Sequence, residues 1–477
     1  MLNHVYRNWL RTTFALLLAF VIAFSGAPAA VYADKAAQLE EIRELLDRYH
    51  ISNPDESVLG ASDIDSMLEA LNDPYTEYFD EEEWAEFNNS LEQTYYGAGV
   101  ALAEEDGIIY AQYVIPDSPA AKAGLQTGDA LISADGHSLI GTSIAGVQQR
   151  VLGPKGTTVN LEIERNGKRM TFSIVRGEVH YPPARGLLMG NGVGYLELNG
   201  FTSDASKRFI EQLDKLERSG MKSLIIDLRN NSGGYMLEAQ KIASLFIENG
   251  VMAHLVSGEG NEFPLIVAGG GKSYPITVLV NANSASASEL LAGALQDYGV
   301  ATLIGTKTYG KGVVQTLYYL KNGGVLKLTV QEYFTPKWRK VDQAGIEPDV
   351  NVEGTVEQLI AAYKHAGGKK IVVDFWKGFF FLNGVDMARP NSAVFQQNKW
   401  YVNLRLAAAL VGAEVGYDKQ SGTISLNKDG KAYQWKKGDP ALINRDGYNL
   451  IEITKLQNIF PELSHTVKDG RLRLTVN

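Results

Sequence analysis

The chain has 477 residues, 45% apolar and 21% charged, the balance of an ordinary globular protein with room for three or four domains. A net charge of −10 gives nucleic-acid binding no electrostatic support. The absence of cysteine excludes disulfides, thiol catalysis and cysteine-type zinc sites, and no HExxH is present among seven histidines. Neither a cofactor nor a metal is expected.

Residues 1–33 read as an export signal. His4, Arg7 and Arg11 form a basic start, residues 14–24 are an unbroken apolar run, and Val31-Tyr32-Ala33 fits a small-x-Ala cleavage pattern. The run is too short to span a membrane comfortably, so cleavage after Ala33 and an exported chain, at the cell envelope or outside it, are expected. Membrane association would require the segment to be retained. Residues 34–93 carry helical spacing at Leu39, Ile42, Leu45 and Leu46, and again at Ile64, Met67, Leu68 and Leu71. Pro74 breaks the second helix in Asp73-Pro74-Tyr75-Thr76. Short helices bury little alone, so this region should pack on the core or on a second copy as a homodimer.

Residues 94–178 change to short strands and glycine turns. A hairpin is expected across Asn166-Gly167, and residues 118–125 read as a short helix closed by glycine. The segment GLQTGDALISADG at 124–136 is close to the GLxxGDxIxxxDG of PDZ domains, which this region resembles. The turn of Gly97, Ala98, Gly99 and Val100 matches the loop that holds a peptide's terminal carboxylate in that family. Such a loop is a nest of N–H donors, and the peptide adds as a strand on an open edge.

Residues 179–366 read as α/β, with buried strands at 224–228, 276–280 and 301–304, and helices at 205–218 and from 236 to about 248. Residues 367–370 look like a linker. Residues 371–477 read as a small α+β accessory domain resembling the stalk-like N-terminal domain of copper amine oxidases, without its copper chemistry.

The chemistry concentrates at 275–315. A strand gives way to Asn283-Ser284-Ala285-Ser286-Ala287-Ser288, a helix follows, and after another strand comes Gly310-Lys311-Gly312. A right-handed crossover would bring Ser286 and Lys311 to adjacent edges of one sheet. Locally, Ser286-Ala287-Ser288-Glu289 also fits a capping box, in which any of the three serines could cap. Lys311 could be a surface turn residue or part of a phosphate loop, since residues 305–311 fit GxxxxGK. Gly312, however, stands where a Mg²⁺-holding hydroxyl is needed, and strand-like residues follow. A Ser-His-Asp triad would have to use His254, which no motif supports. Ser219 and Lys222 match SxxK but read as an exposed turn. A Ser-Lys pair needs a neutral lysine, whose pKa must fall by roughly 2–3 from about 10.4, or roughly 3–4 kcal/mol.

The motifs LNDPYTEYF at 71–79, VGYLELNGF at 193–201, LIIDLRNNSGG at 224–234, VLVNANSASASELLAGALQDYG at 278–299, GTKTYGKGVVQ at 305–315 and GIEPDV at 345–350 resemble, in order, the carboxy-terminal processing proteases, or tail-specific proteases, of serine-peptidase type S41. The resemblance implies an α/β protease core with an inserted PDZ domain, Ser286 as nucleophile, Lys311 as base, Gln315 orienting the lysine and Asp297 as structural support. It also implies cleavage of proteins at or near their C-termini after the PDZ domain engages the tail. Gly233, Gly234 and Ala287 are candidate oxyanion donors, each in a turn at a helix start. Gly234→Ala is expected to fold and lose turnover. The chain departs from the family pattern at Ser232 (usually proline), at Leu152 (usually arginine, a role that Arg150 or Lys155 would have to take) and at Lys337-Trp338-Arg339. The alternative reading is a catalytically silent PDZ scaffold or adaptor at the cell envelope.

Overall fold

A computed structural model describes residues 28–477, apart from 106, 377–378, 388–391, 437, 446 and 469, with side chains from residue 35. The expected leader run at 14–24 lies outside the described residues. The first described helix, Pro28–Tyr49, passes through the expected cleavage position.

The central element is a six-stranded sheet in the order Ala184–Leu188, Val193–Leu198, Ser223–Asp227, Ile276–Val280, Ala301–Gly305, Val350–Asn351. The first pair is antiparallel and the rest are parallel. Ser223–Asp227 and Ile276–Val280 are buried along their whole length, as parallel strands covered on both faces must be. Alternate residues serve two cores. Leu224, Ile226, Val278 and Leu303 face the helices Ala205–Arg218, Met236–Ala243 and Ala287–Asp297. Ile225, Leu279 and Ile304 face the helix Thr355–His365 and the C-terminal region.

That second face changes the view of the C-terminal region. Residues 367–370 are pinned rather than slack: Gly368 N–H donates to Tyr363 O at 2.8 Å, Lys369 N–H to Asn191 Oδ1 at 3.1 Å, and Ser223 Oγ to Ala366 O at 2.6 Å. Val373, Phe380, Leu406 and Leu474 lie in the same apolar cluster as Ile225 and Leu279. The terminal strand Arg471–Val476 pairs with Ile371–Trp376, the first strand of this region, and so closes it.

A second sheet runs Glu77–Phe79, Val325–Phe334, Asn249–Ser257, Glu262–Ala268, with Val313–Tyr319 also on Val325–Phe334. The helix expected to reach about residue 248 ends at Ala243, and Asn249–Ser257 becomes a strand because its partner Glu262–Ala268 is available. The N-terminal helices pack on this sheet within the same chain: Ile42, Leu46, Leu59 and Met67 bury against Leu320, Leu326 and Leu328.

The region at 100–175 is a six-stranded open sheet in the order Val100–Glu105, Ile108–Val114, Ala130–Ala134, Thr158–Arg165, Lys168–Val175, with the short strand His137–Ser138 also on Ala130–Ala134, and with helices Pro119–Ala123 and Ile144–Val151. It joins the rest through the antiparallel ribbon Thr94–Gly97 with Gly177–His180, and it also meets the C-terminal region, where Gln112 Nε2 donates to Asp386 Oδ2 at 2.7 Å and Tyr110 lies edge-on to Phe379. Val100–Glu105 is an edge strand, open to a further strand.

Candidate active site

Two neighbouring strands of the parallel sheet end in turns at the same edge, where open α/β sheets place their sites. After Ser223–Asp227 comes the turn with Asn231, Gly233 and Gly234. After Ile276–Val280 comes the serine turn. Tertiary burial distinguishes the three serines. Ser284 and Ser288 are fully buried, and their hydroxyls donate to Leu228 O and Asn231 O, both at 2.8 Å. Ser286 alone is partly exposed. Its backbone sits at φ 56°, ψ −117°, outside the left-handed helical basin. Such a conformation costs a non-glycine residue about 1–3 kcal/mol, and it falls here at a sharp strand-to-helix turn.

The glycines of the first turn are required by contact. A Cβ on Gly233 would stand 2.8 Å from Ser286 Cβ and 3.1 Å from Ala287 N. A Cβ on Gly234 would stand 2.3 Å from Phe201 O, at φ 137°. The expectation that Gly234→Ala folds normally is therefore corrected: the methyl meets backbone. Gly233 also changes role, because its N–H already donates to Asn231 Oδ1 at 2.9 Å. The N–H groups of Gly234 and Ala287 make no hydrogen bond among the described residues. Asn231, fully buried and not singled out by sequence, ties the turns together: its carbonyl accepts Ala285 N–H at 3.1 Å and the Ser288 hydroxyl.

Lys311 does not lie on the parallel sheet. It precedes Val313–Tyr319 of the second sheet, so the expectation of adjacent edges of one sheet is corrected. The two halves are joined by Glu289, the glutamate of the capping box. It is fully buried, and its carboxylate accepts four donors: Ser286 N–H at 2.9 Å, Lys311 N–H at 2.9 Å, Gly310 N–H at 2.7 Å and Thr308 Oγ1 at 2.6 Å. Burial pushes its pKa up, against the pull of those donors. The buried Tyr333 hydroxyl adds a second tie, reaching Ser286 O at 3.1 Å and Lys311 O at 3.0 Å. The GIEPDV segment closes the loop, with Ile346 N–H donating to Thr308 Oγ1 at 2.6 Å.

The Lys311 side chain is half-buried. Burial first, and the Lys327 charge second, push its pKa down from 10.5 to about 8, against Glu77, Asp73 and Glu289. Its Nζ lies 4.8 Å from the Tyr75 ring centroid. Among the described residues no hydrogen bond joins Nζ to Ser286 Oγ or to Gln315. The Gln315 amide instead reaches Thr329 Oγ1 at 3.4 Å. Asp297 accepts Lys337 N–H at 2.9 Å and pairs with Arg339 at 2.6 Å, fixing the bulky 335–339 turn.

The rivals fall away on geometry. Both ring nitrogens of His254 are engaged, by Glu262 at 2.6 Å and Pro336 O at 3.2 Å. The GxxxxGK stretch leads into a strand, and Ser219 Oγ bonds back to Lys215 O at a helix end. In the PDZ region Gly97, Ala98 and Gly99 are buried and Val100 is half-buried. The carbonyls of Ala98 and Gly99 accept Ala120 N–H at 2.7 Å and Ile115 N–H at 3.0 Å. Leu152 approaches the loop, its Cδ2 2.9 Å from where a Gly97 Cβ would stand. Arg176 fastens the end of the adjacent helix through Val151 O at 3.0 Å and Arg150 O at 2.7 Å, while Lys155 reaches Glu178 of the ribbon at 3.7 Å.

Comparison with known proteins agrees with this architecture. Residues 192–352 match the model of peptidase family S41, and 111–165 match a PDZ domain. The chain is 33% identical over 333 residues to a CtpA-like serine protease of Staphylococcus saprophyticus, covering 69% of this chain and 67% of that one. It is 31% identical over 343 residues to the carboxy-terminal processing protease CtpB of Bacillus subtilis, covering 69% and 71%. Among solved structures it aligns with a photosystem II D1 C-terminal processing protease at 25% identity and a TM-score of 0.45, over 68% of this chain and 94% of that one. The chain belongs to peptidase family S41, as a PDZ-containing serine-type peptidase of the carboxy-terminal processing group.

Proposed function

We propose that this protein is an exported endopeptidase that cleaves protein substrates at or near their C-termini, with Ser286 as nucleophile and Lys311 as general base. The observation that carries the reading is the Glu289 carboxylate, which binds the backbone N–H of both residues and so fixes the two loops relative to each other. Neutral Lys311 takes the hydroxyl proton as Oγ attacks the scissile carbonyl, and returns it to the leaving amine; water then repeats the sequence on the acyl-enzyme. The free N–H groups of Gly234 and Ala287 receive the oxyanion. The two side chains must move together for proton transfer, because Oγ and Nζ are not hydrogen-bonded in this conformation. Gln315 serves the lysine in the closed arrangement. The open edge at Val100–Glu105 takes the substrate tail, its carboxylate held by the Gly97, Ala98, Gly99 and Val100 loop.

Digestion of an unstructured protein such as β-casein, compared with Ser286→Ala, tests the assignment. Loss of cleavage with an unchanged melting curve is expected; equal cleavage by the variant removes Ser286. N-terminal sequencing of the secreted chain tests export, with Asp34 as the expected first residue.

A further inference from the structure

We infer that the Asp73-Pro74-Tyr75-Thr76 turn of the N-terminal region forms one wall of the base's site and positions both Lys311 and Gln315. This rests on Lys311 being the base. The turn reaches the lysine through Tyr75, whose ring faces Nζ at 4.8 Å. Among the described residues Nζ has no ion pair or hydrogen bond, so the ring is the group that confines it. The phenol is itself half-buried beside Tyr309 and Asp342, and burial is the main reason its pKa is pushed up to about 12.

The turn reaches Gln315 through a hydrogen-bonded chain. Asp73 accepts Tyr75 N–H at 3.0 Å, the Thr76 hydroxyl at 2.6 Å and His50 Nε2 at 3.2 Å. Ser52 N–H donates to His50 Nδ1 at 3.1 Å, so Nε2 carries the ring proton toward Asp73. Burial opposes the Asp73 charge, yet these donors hold its carboxyl well below the usual range. Thr76, 4% exposed, accepts Thr329 N–H at 3.1 Å and lies 3.4 Å from Thr329 Oγ1. That same oxygen receives the Gln315 amide. The ladder between Val313–Tyr319 and Val325–Phe334 slips between Val314 and Gln315, and such a slip re-aims the side chain that follows it.

The N-terminal region thus touches the base through Tyr75 and reaches the glutamine through Thr329, which Thr76 holds. The charged groups facing Lys311 are Asp73 and Glu77 from this region, Lys327 from the second sheet and Glu289 from the nucleophile helix. Tyr75 keeps water from the amine among them, and this desolvation outweighs the attraction by which the ring face favours the ammonium. Without the ring the amine is wetter and holds its proton to higher pH.

The test uses the full chain and two readouts, kcat/KM against pH and the pH dependence of Lys311 reactivity toward an amine-labelling reagent, read by mass spectrometry. Tyr75→Leu, which keeps apolar bulk but opens the site, should lower kcat at least tenfold with KM within about threefold. It should also move the labelling midpoint upward from about 8 by half a pH unit or more. Tyr75→Phe should recover most of both losses. Thr76→Val should lower kcat without moving the labelling midpoint. A folded Tyr75→Leu enzyme with unchanged kcat and midpoint overturns the inference. Should Tyr75→Leu fail to fold, a Thr76→Val enzyme with wild-type kcat overturns it for Gln315, and Tyr75→Phe with both losses unrecovered overturns it for the ring. Lys311→Met separates the two levels: an active Lys311→Met enzyme defeats the base assignment itself, whereas an inactive one beside an unaffected Tyr75→Leu defeats only the role of the turn.

Discussion

Residues 281–289 and 308–312 carry the proposed nucleophile and the proposed base, and they are held in different ways. The nucleophile turn is anchored in the parallel sheet: Ser284, Ser288 and Glu289 are fully buried, and their polar atoms are satisfied by the chain itself. Of its three serines only Ser286 is partly exposed, on a backbone that the neighbours hold in a costly conformation. The lysine loop is fixed through its backbone, by Glu289 and Tyr333, while its side chain lies at the seam between the second sheet and the N-terminal region. Geometry therefore sets the state of Ser286, and solvation sets that of Lys311. A strained serine needs a rigid frame, whereas a neutral lysine needs only that water be kept away.

Breaking the nucleophile side should give the largest effect. Ser286→Gly should lose at least about a thousandfold in kcat and still gain roughly 1 kcal/mol of stability, because glycine relieves the positive φ. Urea unfolding alongside peptide hydrolysis would show it; a destabilised variant would mean that the turn is not strained. Glu289→Gln comes next. Its amide would present donors where N–H groups already point, with a cost of about 3 kcal/mol and a fall in kcat of about a hundredfold or more. Retained activity would deny that this carboxylate couples the loops.

The base side is sharpened by pH. With Lys311 near 8, kcat/KM should fall about tenfold per pH unit well below that value. Lys311→Met should raise stability at pH 7, by at most roughly 3 kcal/mol, the worth of the fall from 10.5 to about 8. The sign follows from linkage: folding disfavours the proton, so the penalty is complete below the folded pKa and vanishes as pH rises through that of the unfolded lysine. A constant gain across pH 7–11 would trace the effect to packing instead. The smallest effect is expected for Ser288→Ala, which loses one buried hydrogen bond: about 1–2 kcal/mol in stability, with kcat within about threefold.

Much of the site was legible as local pattern. Strand, small-residue turn and helix at 276–297, the glycine pair and the separate β region at 94–178 all follow from periodicity and turn chemistry within a few residues. The capping-box reading of Ser286 and Glu289 was sound for the glutamate, whose carboxylate does take the N-cap N–H. It understated the residue, because its other three donors come from 19 to 22 residues downstream. Tyr333 and Asn231 gave no signal, since a tyrosine in a strand and an asparagine in a turn are ordinary in sequence. The boundary at residue 367 looked like a linker on composition, but composition does not register that the sheet's second face needed covering.

The sequence by itself determined the elements, their order and the residue types at their ends, because helix and strand periods, caps and glycine turns are local properties. Only the tertiary structure decided which of three serines stays accessible, that the lysine stands on a different sheet from the serine, and that a turn near residue 75 walls its amine. Those outcomes depend on burial and on donors meeting acceptors across long separations, such as the 253 residues between Thr76 and Thr329. No spacing rule reaches that far; desolvation and hydrogen-bond satisfaction in the packed chain do.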